Sequence, residues 1–408
     1  MLKAVILIGG PQKGTRFRPL SLDIPKPLFP VAGLPLIQHH IEAIAAVPAV
    51  KEILLIGYYP SQQMQDFVNN VQQQHSVVIR YLQEFTTLGT AGGMYHFRDQ
   101  IRCGNPEAFF VMNGDVCADF PLTELYEFHK ERKDKALVTI MAAETTKQQC
   151  LQYGCMIIDK ETCEVKHYVE KPNTYISTMI NCGYFNVLRY SNGNGKDAGY
   201  IQFERDVLAP LAGTGQVFAL EVGHWWSQLK TACAAIYANR HYLQLYRTKH
   251  PERLATAVCG AGDSTAPCLI IPDVHIHPTA TVHSSATIGP NVSIGPNVVI
   301  GPGVRIKESI ILAGATVEDH SLVLHSIIGR NSRVGKWARV EGTPSDPDPN
   351  KPFAKMENPP LFNSEGKLNP SITILGCFVS VPSETILLNS IVLPHKELSR
   401  SFKNEIIL

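Results

Sequence analysis

The sequence predicts an α/β chain in two parts. A doubly wound, Rossmann-like domain spans residues 1–250, and a parallel β-helix of hexapeptide repeats spans residues 274–408. Three observations predict this. Apolar runs alternate with helical patterns through the first part, and a glycine-rich turn follows the first run. In the second part apolar residues recur every six positions.

Composition sets the frame. A chain of 408 residues exceeds what one hydrophobic core sustains, about 250–300 residues. Its 44% hydrophobic and 18% charged residues mark a globular chain rather than a disordered one. A formal net charge of +1 gives no bulk attraction to nucleic acid or to an anionic membrane. The apolar run between Lys3 and Gly9 is too short for a signal peptide and reads as a buried first strand. No run is long enough to span a bilayer. The ten cysteines lack CxxC or zinc-ligand spacing, so reduced thiols and a cytoplasmic location are expected.

Residues 4–8, 52–57 and 108–112 fit buried parallel strands, and residues 36–46 and 123–132 fit helices between them. Ligands of such sheets bind beyond the carboxyl ends of the strands. The polar stretch 190–200 reads as a surface loop, 231–246 as a closing helix, and 251–273 as the connector.

The second part opens with Ile276, Val282, Ile288, Ile294, Ile300, Ile306 and Leu312, each six residues apart. Ala280, Ala286, Val292, Val298, Val304 and Ile310 lie two places before successive members. This period suits neither an amphipathic helix nor a simple strand. It suits a coil in which each hexapeptide forms one flat side. After a slip near Val317 the series resumes at Leu322, Ile328, Val334 and Val340, then at Leu375, Val381, Leu387 and Leu393. Residues 341–371, rich in proline and polar groups, must be extruded as a long loop. Its apolar residues Phe353, Met356, Leu361 and Phe362 are expected to reach a neighbouring subunit.

Gly9-Gly10, then Gly14-Thr15-Arg16, then Pro25-Lys26-Pro27 follow the first strand. A glycine-rich turn there lets backbone N–H groups approach phosphates, with Arg16 and Lys26 adding positive charge. In this order the motifs resemble the sugar-phosphate nucleotidyltransferases, most nearly the mannose-1-phosphate guanylyltransferases, over nearly the whole chain. The resemblance implies a left-handed β-helix behind a nucleotidyltransferase domain. It implies a base-recognising loop at residues 88–93, with Gly89, Thr90, Gly92 and the upstream Glu84. Asn113 and Asp115 match its metal-binding motif. Gly154, Glu170, Lys171, Asn181, Gly183 and Glu204 match its sugar and phosphate contacts, and Arg247 ends a helix beside the same pocket.

Two departures change what the resemblance implies. Active members bind Mg²⁺ with Asp115 and a second aspartate in a Trp-x-Asp-x-Gly motif; here Ser227 and Leu229 stand at the aspartate and glycine. A hydroxyl is a poor substitute for a carboxylate on a hard dication. Pro11, Gln12 and Lys13 also lengthen the phosphate loop by two residues relative to active members. Arg16, Lys26 and Asp115 are then remnants of a catalytic set, with no cofactor required and Mg²⁺ entering only with a bound nucleotide, at Asp115. The chain thus resembles the regulatory branch of the family. That branch implies GDP-mannose as ligand, a catalytic beta subunit as partner in a hetero-oligomer, and feedback on GDP-mannose supply for glycosylation. Other readings stay open: an active enzyme making GDP-mannose from GTP and mannose 1-phosphate, an exchange-factor-like scaffold, or an acyltransferase using His275, His277, His283, His320 or His325.

Overall fold

The computed structural model describes residues 1–10, 15–188, 200–256, 268–357 and 359–408. The lengthened phosphate loop, most of the 190–200 stretch and much of the 251–273 connector lie outside the described residues. The chain packs as two compact units, neither continuous in sequence. One holds residues 1–13, 37–227 and 347–355; the other holds 14–36, 228–346 and 356–408.

The first unit is built on a nine-stranded sheet. Four adjacent parallel strands lie in the order Val78–Gln83, Val50–Gly57, Leu2–Gly9, Ala108–Asn113. Leu2, Ala4, Val5, Ile6, Ile53, Leu54 and Leu55 are fully buried, as apolar runs covered on both faces should be. Lys3 is buried among them because Glu52 neutralises it at 2.5 Å and the Gln100 carbonyl accepts from it at 2.8 Å. The strand order reverses between Leu2–Gly9 and Ala108–Asn113, which places a crevice beyond Gly9 and Asn113.

The sheet is mixed, which the strand reading did not foresee. Met179–Leu188 runs antiparallel to both Ala108–Asn113 and Val138–Glu144. Val165–Glu170 runs antiparallel to Gly154–Ile158. An apolar run reports burial and carries no information on strand direction.

The second unit holds a left-handed parallel β-helix whose two- and three-residue strands stack into three sheets. Val282, Ile288, Ile294, Ile300 and Ile306 all point into one core from the three sheets in turn, as the six-residue period requires. Beyond Ile306 one side of each coil is a residue shorter: Ile288 pairs with Ile306, whereas Ile294 pairs with Ile311. Ile311, Val323 and Val392 therefore fill the core where a strict count puts Leu312, Leu322 and Leu393. Leu322 and Leu393 are only partly buried.

The shortened corner is a stack of left-handed residues, Glu308 (φ 48°), His325 (φ 45°) and Asn389 (φ 49°). The long insertion leaves from this corner. Gly342 N–H still donates to the Leu324 carbonyl at 3.0 Å, and Thr343 N–H donates to Ser371 O at 3.0 Å across the neck. Ser326 pairs with Thr373, so the coil closes beneath the insertion.

Candidate functional site

In the first unit the crevice at the strand reversal gathers most of the expected residues. Gly9 ends its strand opposite Gly57, and its carbonyl accepts Tyr58 N–H at 2.7 Å. Asn113 ends the neighbouring strand, and Gly114 N–H donates to Leu7 O at 2.9 Å. The Asn113 side chain lies against Gly183, where an added Cβ would stand 2.8 Å from Asn113 Nδ2. Asp115 follows at the crevice rim, half-buried.

The helix Gly89–His96 begins the base-loop side. Gly89 has φ +80°, and a Cβ there would collide with the Ile201 carbonyl. That carbonyl accepts Ala91 and Gly92 N–H at 3.1 and 3.2 Å, so the segment entering at Ile201 caps the helix start. Thr90 Oγ1 donates to Glu204 Oε2 at 3.2 Å and accepts Phe203 N–H at 2.8 Å. Glu204 sits in one π-helical turn, Phe203–Leu208, a form found often at functional sites. Burial raises its carboxyl pKa, and the nearby Glu170 charge adds to that. Glu84 N–H donates to Gly57 O at 2.7 Å, and the Glu84 carboxylate packs on Gly93.

Opposite lies an antiparallel wall in which Glu170 pairs with Gly154. Tyr168 is its hub. The hydroxyl donates to Glu170 Oε2 at 3.1 Å and accepts from Asn181 Nδ2 at 3.1 Å. Asn181 Oδ1 in turn accepts Gly183 N–H at 2.7 Å. Burial lifts the Tyr168 pKa well above its ordinary value, which keeps the hydroxyl a neutral donor. Lys171 pairs with Glu170 Oε1 at 3.1 Å. Gly154 has no room for a side chain, because a Cβ would strike the Tyr168 hydroxyl and come within 2.7 Å of Glu170 Oε2. The sequence reading missed Tyr168; its signal was its place two residues before Glu170 in a strand, hence on the same face.

Ser227 lies in the strand Trp226–Gln228, paired with Val116–Ala118 directly after Asp115. Trp226 Nε1 donates to Cys182 O at 2.9 Å and its ring meets Tyr153 edge-on at 5.4 Å. Ser227 is 2% exposed, and its hydroxyl has no hydrogen-bond partner among the described residues. With Ser227 at the second position, Asp115 is the one carboxylate of the motif pair, so a Mg²⁺ ion here would take its remaining oxygens from ligand phosphates and water.

Three expected residues belong to the second unit. Arg16 is exposed in the short turn Thr15–Phe17, and Lys26 begins the turn Lys26–Leu28. Arg247 is held in an ion pair with Asp273. Three of the β-helix histidines have hydrogen-bond partners: His275 bonds Arg253 O at 2.9 Å, His277 bonds Thr279 Oγ1 at 2.9 Å, and His283 bonds Ser285 Oγ at 2.9 Å. His320 stacks on Trp337 at 4.4 Å. Among the described residues, no helix is long and apolar enough to cross a membrane.

Residues 3–193 match the family described as Nucleotidyl transferase, and residues 270–407 match the GMPPB C-terminal domain. A putative glucose-1-phosphate thymidylyltransferase from Bacillus anthracis shares the fold. Its TM-score is 0.51 at 21% identity, over 61% of this chain and 96% of that one. A Drosophila melanogaster protein named mannose-1-phosphate guanylyltransferase regulatory subunit alpha is 66% identical over all of both chains. The Homo sapiens protein of that name is 56% identical, again over all of both chains. With the altered metal position and the inserted β-helix loop, these likenesses place the chain in the family of mannose-1-phosphate guanylyltransferase regulatory subunits alpha.

Proposed function

We propose that this chain is a noncatalytic sensor of GDP-mannose, which it binds in the crevice between the Gly89–His96 helix and the Tyr168–Asn181 wall. In a hetero-oligomer it restrains a homologous catalytic beta subunit when GDP-mannose accumulates, and so sets cytoplasmic supply for glycosylation. The observation that carries this reading is Ser227. Its buried hydroxyl stands unpartnered where active relatives place a metal aspartate, beside a complete Tyr168–Glu170–Asn181 network. Nucleotidyl transfer relies on positioning and on cations at the phosphates. A chain that keeps the sugar wall and lacks the second metal carboxylate is suited to hold a nucleotide sugar without making one.

The insertion supports a role at a partner. Phe353, Leu361 and Phe362 are each about half exposed, apolar side chains set among charges along the insertion. The test is reconstitution with the catalytic subunit, measuring GDP-mannose synthesis against added GDP-mannose. Inhibition by product should require this chain and should weaken when residues 343–370 give way to a Gly-Ser linker. Equal product inhibition of the catalytic subunit alone would refute the role.

A further inference from the structure

Within the second unit, the helix Ala232–Lys249 fastens the stem of the insertion. Arg240 carries the fastening. Its Nε and Nη2 reach Glu308 Oε2 at 3.1 and 3.0 Å, and its Nη1 donates to Asp346 Oδ2 at 2.9 Å. One guanidinium thus joins the shortened corner of the β-helix to the insertion, just after Gly342 leaves that corner. The planar fork serves two carboxylates from different nitrogens, which a lysine ammonium, a single point charge, does not reproduce.

Helix and corner form a fixed base for this contact. Asn239 is fully buried; its Oδ1 accepts Ser293 Oγ and Ala32 N–H, each at 2.8 Å, and its Nδ2 donates to Asn291 O at 3.3 Å. Asn291 Nδ2 in turn donates to Glu308 Oε1 at 2.8 Å. Glu308 is 7% exposed, so its buried charge is met by Arg240 on one oxygen and by Asn291 on the other. Asp346 is the outer partner. Its side chain is 37% exposed, and it is the last residue before the chain passes into the 347–355 segment of the first unit. An ion pair so exposed can be made and broken at modest cost, whereas the Arg240–Glu308 pair beneath it cannot.

Farther along, the insertion forms a hairpin of its own. Phe362 pairs with Leu368, Asn363 N–H donates to Lys367 O at 2.8 Å, and Gly366 takes φ +74° in the turn. Leu361 and Phe362, about half exposed, begin this hairpin. Docking such an arm on a partner costs less ordering entropy when its stem is already held.

We infer that Arg240 is a positioning residue for feedback: its bond to Asp346 holds the stem from which the insertion reaches the catalytic partner. The inference rests on the regulatory reading above, and it separates the holding of the insertion from the binding of ligand.

Removing Arg240 outright would strand the Glu308 charge, so the main variants are placed at Asp346. Full-length chain, wild type or variant, is co-assembled with the catalytic subunit, and GDP-mannose synthesis is measured with and without saturating GDP-mannose. Calorimetry on the isolated chain gives ligand affinity, and light scattering gives assembly. Asp346→Asn should raise the synthesis remaining under feedback about threefold to tenfold, with affinity and assembly unchanged. Asp346→Lys, which sets a like charge beside Arg240, should raise it further, and Asp346→Glu should keep most of the feedback. Arg240→Lys, which keeps a cation for Glu308, should behave as Asp346→Asn does. Asp348→Asn, the same charge change nearby, should match wild type. Cleavage of residues 343–370 by protease should quicken in the same order. Undiminished feedback in both Asp346→Asn and Asp346→Lys overturns the inference and leaves the regulatory reading standing. Lost GDP-mannose binding in those variants also overturns it, because the stem would then belong to the binding machinery. A wild type without feedback overturns both.

Discussion

Thr90 ties together two segments far apart in sequence: its hydroxyl donates to Glu204 at 3.2 Å while accepting the Phe203 N–H at 2.8 Å. Thr90→Val keeps the side-chain shape and removes both bonds, leaving a buried carboxyl and a backbone N–H unsatisfied. The first unit should lose about 1–3 kcal/mol. A lowered unfolding midpoint with weaker GDP-mannose binding is the expected result; an unchanged midpoint would count against the tie.

Gly154→Ala tests the sugar wall. The new methyl must displace the Tyr168 hydroxyl, and with it the bonds to Glu170 and Asn181. Titration should show GDP-mannose affinity reduced roughly tenfold or more, since the lost contacts act as one network. Wild-type affinity would mean that this wall does not meet the ligand.

His129 makes the first unit acid-labile. Burial lowers its pKa from 6.5 to about 4, with Nδ1 bonded to Thr139 at 2.7 Å. The unfolded chain takes up a proton as pH falls through 6.5, while the folded chain resists until about 4. The stability is therefore present above pH 6.5 and is lost as pH falls toward 4, by roughly 3 kcal/mol in full. Urea midpoints at pH 7.5 and 5 should differ less in His129→Gln than in wild type. An identical pH difference in both would remove His129 as a cause.

The β-helix register gives a sharper contrast. Val323 is fully buried in the core column, while Leu322 is only partly buried. Val323→Asp places an unpaired charge in the core and should prevent folding, whereas Leu322→Asp should give soluble chain with a near-normal melt. The reverse outcome would restore the strict six-residue count.

How far the sequence could be read follows from what each signal measures. Six-residue spacing of buried residues revealed the coil, because each flat side needs one inward residue. It failed at Leu312, Leu322 and Leu393, because the corner at Glu308, His325 and Asn389 holds one residue fewer than the other two. Strand runs were legible and their directions were not, since direction depends on long-range pairing such as Tyr184 with Met112. In the crevice, Gly154, Glu170, Asn181 and Glu204 were found by motif. Tyr168 was not, because its hydroxyl joins Glu170 to Asn181 across strands that no local pattern links.

The central claim is binding without turnover, and one sample of purified chain tests it. GDP-mannose is titrated calorimetrically, and pyrophosphate release is followed with GTP, mannose 1-phosphate and Mg²⁺. The account predicts saturable binding with no release above background. Turnover near ~1 s⁻¹, the low end of common enzyme rates, would contradict it, as would a chain that shows no binding at all.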